Sequence, residues 1–137
     1  MKEELDDKLV KDFPNLYKDR YASMQVTCMC WGFPGDGWFD LIYKLSEKLE
    51  KLILDLPEAE RKSCCASQVK EKFGTLRFYM DGATDEMYDL VGKAENESGK
   101  ICEDCGKPGN ICVRGGWWAT RCPECAEAQG FKIAKQY

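Results

Sequence analysis

The cysteines constrain this chain most. Cys102 and Cys105 form one Cys-x2-Cys pair, and Cys122 and Cys125 form a second pair sixteen residues further on. Two thiolates three positions apart turn toward one ion when the chain between them bends into a knuckle, and two knuckles supply the four sulfurs of a closed tetrahedral site. Gly106 directly follows the first pair, where a knuckle needs a backbone free to take positive φ. Between the pairs, "NICVRGGWWATR" places Gly115-Gly116 as the two-residue turn of a tight β-hairpin. The pattern predicts one structural zinc ion. Disulfides and a thioredoxin-like redox pair are the competing readings. Against them stand an odd count of nine cysteines and a doubled pair without a βαβ pattern around it. Four thiolates leave no open position for water or substrate, so the metal is expected to hold a shape and not to catalyse.

A hairpin with a knuckle at each end resembles the zinc-ribbon family, over about residues 100–127. Ahead of it, periodicity organises the chain. Leu5, Leu9 and Val10 recur at helical spacing and stop before Pro14, which predicts a helix over 2–12. The apolar run "VTCMCW" (26–31) reads as extended. Phe39, Ile42, Leu45, Leu49, Leu52 and Leu56 then trace one helical stripe, with Asp36 as candidate N-cap and Pro57 beyond the end. "CASQVKEKFGTLRFYMD" alternates on both sides of Phe73-Gly74, the sign of a hairpin. Met87, Leu90, Val91 and Ala94 share one face of a further helix from Thr84 to Ser98. The expected fold is α+β: a helix-plus-hairpin domain over 1–98, followed by a zinc-ribbon lobe over 99–137.

"GDGWFDLIYKLS", then "QVKEKFGTLRFYM", then a helix and a terminal ribbon together resemble a group of small uncharacterised bacteriophage and prophage proteins. The resemblance covers nearly the whole chain. It implies a phage setting and a role in the cytoplasm of an infected bacterium, and it implies no particular activity. Compact phage accessory proteins often bind a host protein in takeover or anti-defence, so a host-protein inhibitor of anti-CRISPR-like type is the favoured expectation.

Composition narrows the alternatives. No apolar stretch is long enough to span a bilayer, and the charged, amphipathic "MKEELDDKLVKDF" does not read as a secretory peptide, so a cytoplasmic location is expected. A net charge of -4 disfavours a protein built to coat nucleic acid. With no histidine, the commonest general base is missing, and no catalytic residues are assigned. Asp36 and Asp40 around Trp38 read better as helix cap and dipole partner than as an acid–base pair.

Cys28, Cys30, Cys64 and Cys65 leave a second metal site open. Adjacent strand cysteines point to opposite faces, and free cysteine commonly packs as a small hydrophobe.

The two hairpins supply the candidate partner-binding residues. A Gly115-Gly116 turn pairs Arg114 with Trp117 and Val113 with Trp118. Arg114, Cys112, Trp117 and Ala119 then lie on one side, opposite Ile111, Val113, Trp118 and Thr120. Arg114 is expected to stack on Trp117, and one tryptophan to be buried against the N-terminal domain while the other faces solvent, although burial of both indoles is the alternative. In the first hairpin, Val69, Leu76, Phe78 and Met80 are expected to face the core, turning Lys70, Lys72, Arg77 and Tyr79 outward. That basic, aromatic face suits nucleic acid, the second functional class, in which the ribbon acts in transcription or replication.

Overall fold

A computed structural model describes residues 1–134; the last three residues of the lobe expected to end at 137 lie outside the described residues. The fold is α+β. Helix α1 (Glu3–Asp12) leads through turns to α2 (Phe39–Leu54) and a single turn, α3 (Glu58–Arg61). Strands β1 (Cys65–Lys72) and β2 (Thr75–Asp81) form an antiparallel hairpin, followed by α4 (Asp85–Ser98). Strands β3 (Asn110–Arg114) and β4 (Trp117–Arg121), helix α5 (Pro123–Gln129) and the short β5 (Lys132–Ile133) complete the chain. The second sheet runs β4-β3-β5. Among the described residues no helix is long and apolar enough to cross a membrane.

One core unites the elements from α1 to α4. The α2 stripe buries Ile42, Leu45, Leu49 and Ile53, and the hairpin contributes Val69, Leu76, Phe78 and Met80. Met87, Val91 and Ala94 of α4 and Leu9, Leu16 and Tyr17 near the N-terminus close it. Helix α4 also covers the edge of β2. Ser98 Oγ accepts the Leu76 N–H at 2.9 Å, and Glu95 takes the Phe78 N–H at 3.0 Å. Those strand donors are thereby withheld from any intruding strand. Buried Glu50 does similar work for the turn after α1, accepting the N–H groups of Asn15 at 3.0 Å and Leu16 at 2.8 Å.

Two local expectations are corrected. Residues 26–31 are not extended: they form turns ending in a 3-10 helix over Met29–Trp31. Met29 is fully buried, its N–H donates to Thr27 Oγ1 at 3.0 Å, and Arg20 donates to Cys30 O at 3.1 Å, which together pin the turn and leave Val26 and Trp31 exposed. Asp36 does not cap α2. It opens a 3-10 turn over Asp36–Trp38, and its carboxylate accepts the Lys2 N–H at 2.7 Å, while Trp38 occupies the cap position without a side-chain bond. The expected helix from Thr84 to Ser98 is present as α4, and Thr84 caps it, its Oγ1 accepting from Met87 N–H at 3.3 Å.

Candidate metal centre

The first knuckle is built by backbone bonds. Cys102 N–H donates to Lys107 O at 2.8 Å, and Gly106 N–H to Cys102 O at 2.9 Å. Gly106 has φ 81, the left-handed value its position requires. The second knuckle is the start of a helix. Cys122 is the N-cap of α5, Pro123 follows where no N–H is needed, and Cys122 Sγ accepts the Cys125 N–H at 3.4 Å.

The hairpin between the knuckles brings these two turns together. The Sγ atoms of Cys102, Cys105, Cys122 and Cys125 all lie within 4.8 Å of one another, and Cys105 and Cys122 stand 3.6 Å apart. Sulfurs about 2.3 Å from a tetrahedral zinc lie about 3.8 Å from each other, so the spacing suits such an ion. Electrostatics agree. The Cys125 N–H lowers the Cys122 thiol to about 7, while the bond to Cys122 pushes the Cys125 thiol up to about 12. One thiolate opposes the next unless a cation sits among them.

Polar groups lock the surround. Arg121 reaches Asp104 at 3.2 Å, Glu103 at 3.5 Å and Gln129 Oε1 at 3.1 Å. Lys107 and Glu124 bridge the two knuckles at 3.0 Å on the surface. The first knuckle sits directly on the loop before α2. Gly37 N–H donates to Glu103 O at 2.7 Å, Gly35 N–H to the Glu103 carboxylate at 2.9 Å, and Trp38 Nε1–H to Ile101 O at 2.8 Å. Thus "GDGW" is the seat on which the first cysteine knuckle docks. A Cβ at Gly37 would lie 2.1 Å from Cys102 O, so only glycine permits this approach.

The other cysteines stay apart. Among the described residues, the four ribbon cysteines are the one group of three or more metal-type ligands that converges. Cys28 is exposed, Cys64 is buried with its thiol 3.6 Å from Met87 Sδ, and Cys65 stands 3.6 Å from an Asp19 carboxylate oxygen. The conceivable second site at Cys28, Cys30, Cys64 and Cys65 is therefore not assembled. Cys30 Sγ donates instead to Thr27 O at 3.4 Å, while Cys64 and Cys65 are held by packing. Cys112 is buried mid-strand and bonds Asn110 O at 3.2 Å, outside the cluster.

The ribbon hairpin has the expected register, Arg114 opposite Trp117 and Val113 opposite Trp118. Its surface differs from expectation on two points. Neither tryptophan is buried: Trp117 is 72% exposed and Trp118 45%. Lower on the same strand, Ala119 and Thr120 make the interlobe contact instead, and Thr120 Oγ1 donates to Gly74 O at 2.6 Å. Arg114 does not stack on Trp117. Its guanidinium lies 4.6 Å from the Phe131 ring centre and donates to Gln129 O at 2.7 Å, because α5 and the chain beyond it fold back across that face.

In the first hairpin, Lys70 and Arg77 are direct cross-strand partners, and Tyr79 lies opposite Gln68 on the same outward face. Neither cation forms an ion pair among the described residues. Sequence reasoning placed Phe73 in the hairpin turn but gave it no surface role. This residue has φ 54, an uncommon conformation for a bulky side chain, and is 67% exposed at the hairpin tip that abuts Ala119 of β4. It also assigned no surface role to the Tyr21–Trp31 segment, where Tyr21, Met24, Val26 and Trp31 are exposed and Met24 and Val26 line a cleft of about 660 Å³ reaching Tyr79. The scarcity of charge across 22–31 was the available signal. No family model, curated protein or solved structure matches this chain.

Proposed function

We propose that Cys102, Cys105, Cys122 and Cys125 hold one structural zinc ion, and that the lobe so held presents an aromatic surface to a host protein. The observation that carries this reading is the placement of Phe73, Trp117 and Trp118. Three exposed aromatic side chains stand on two hairpins that meet where Gly74 touches the Ala119 backbone. Exposed tryptophan on a rigid hairpin suits an interface anchor, because little side-chain entropy is lost on docking. A bulky residue kept in a left-handed conformation in open solvent is a cost to the free protein, which points to use in a complex.

The chain then works as a non-catalytic binder that inhibits or redirects its target. The setting in a phage-infected bacterium, and the anti-defence version of the role, rest on the resemblance of the "GDGWFDL" and "QVKEKFGTLRFY" segments alone. The nucleic-acid reading has its own support in Lys70 and Arg77, which form no ion pair among the described residues and stand beside Tyr79. The overall charge of -4 weighs against it.

Affinity capture from phage-infected cells, with protein and nucleic-acid content read separately, tests the choice. A protein partner retained at high salt and lost with Trp117→Ala or Trp118→Ala supports the binder. Micromolar nucleic-acid binding that weakens steeply with salt and vanishes in Lys70→Glu/Arg77→Glu would replace it.

A further inference from the structure

A second surface lies on the opposite kind of chemistry. Between α2 and α4 runs a groove of about 180 Å³ floored by Leu41, Leu45, Leu90 and Ala94. Its rims carry Lys44 and Lys48 from α2 and Lys93 from α4. It continues past Lys48 into a cleft of about 270 Å³ with Leu52 in its lining and Lys51 at its side. None of these four lysines forms an ion pair among the described residues. At one end Glu97 is already engaged by Lys100 at 3.5 Å, and Asp55 and Glu86 lie at the other.

In sequence, Lys44, Lys48 and Lys51 are an ordinary solvated stripe at helical spacing. The fold makes them something else by setting Lys93 across from them and leaving a leucine-floored channel between. Unpaired cations concentrated around an apolar groove, in a chain of net charge -4, select an occupant that is both acidic and apolar. We propose that this groove docks an acidic amphipathic helix of a partner protein, its apolar side chains on the leucines and its carboxylates against the lysine rims. A nucleic-acid strand would meet the cations but leave the leucines uncovered. A bilayer surface is flat where this channel is concave between two helices. A lysine can lay its stem along apolar surface while its charged end stays in water, so lysines lining an apolar groove suit carboxylates that arrive with an apolar face.

The test uses the full-length zinc-loaded protein and a fluorescein-labelled peptide as long as α2, with leucine on one face and glutamate on the other. A counterpart carrying lysine for glutamate and vesicles containing phosphatidylglycerol serve as the other arms. The acidic peptide is expected to bind in the micromolar range and to shift amide NMR signals along α2 and α4. Lys48→Glu/Lys93→Glu weakens it by about tenfold or more, equivalent to about 1.4 kcal/mol, and Leu90→Ser, at a half-exposed position, weakens it without unfolding the protein. Absence of binding, equal binding of the basic peptide, shifts centred away from the groove, or binding to vesicles and not to peptide each overturns the proposal. Trp117→Ala leaves peptide binding unchanged, so failure of the aromatic surface and failure of the groove are separable.

Discussion

The indole N–H of Trp38 donates to the carbonyl of Ile101 at 2.8 Å, one residue before the first knuckle cysteine. Trp38 is fully buried in the core that α2 closes, so the first cysteine knuckle and the N-terminal core are joined by this hydrogen bond. Removing the proposed zinc ion should therefore disturb both parts.

Metal content checks this first. Elemental analysis is expected to show about one zinc per chain, reduced strongly by Cys105→Ser. Chelation should red-shift tryptophan emission, and Trp38 is the source, because Trp31, Trp117 and Trp118 already face water. A ratio near two, or chelation without any spectral change, contradicts this coupling.

Trp38→Phe keeps most of the buried ring and removes the donor. The part-buried bond to the Ile101 carbonyl is then lost at a cost of about 1 kcal/mol, measured by chemical denaturation. Trp38→Ala also leaves a cavity and should cost about 3 to 5 kcal/mol. A Trp38→Ala protein as stable as the parent refutes the structural role.

Two glycine substitutions should move stability in opposite directions. An added Cβ at Gly37 would meet Cys102 O at 2.1 Å and the Glu103 carbonyl carbon at 2.6 Å, so Gly37→Ala must push the knuckle off its seat. Lower melting temperature and faster zinc loss are expected. Gly92, inside α4, has nothing within 4 Å of the added atom, and Gly92→Ala should stabilise by about 0.5 to 1 kcal/mol.

Phe73→Asn relieves a left-handed conformation that asparagine tolerates, and should raise stability by about 1 kcal/mol. Partner capture should fall in the same variant. A stabilised protein that captures its partner as before removes Phe73 from the interface.

Trp117→Ala and Trp118→Ala should both fold, with changes in stability within about 1 kcal/mol, since each indole is largely in solvent. Circular dichroism and thermal melts of the two variants check this before any binding result is read.

How far the sequence reached follows from the range of each interaction. The sulfur cluster was legible because a Cys-x2-Cys knuckle is a local geometry and a two-residue turn sets the register that brings two knuckles together, as the pairing of Arg114 with Trp117 shows. The first hairpin was legible for the same reason: a period of two around Phe73-Gly74 sends Val69, Leu76, Phe78 and Met80 inward. Tertiary structure decided everything that depends on which distant surfaces meet. Met29 turned an apolar run into a pinned turn. Phe131 drew Arg114 away from Trp117. Thr120 and Ala119, not a tryptophan, took the contact with Gly74, and Lys93 arrived beside Lys44 and Lys48. Spacing along a chain determines turns and faces, whereas the partner of each face is chosen by packing among segments tens of residues apart, where no local pattern records the outcome.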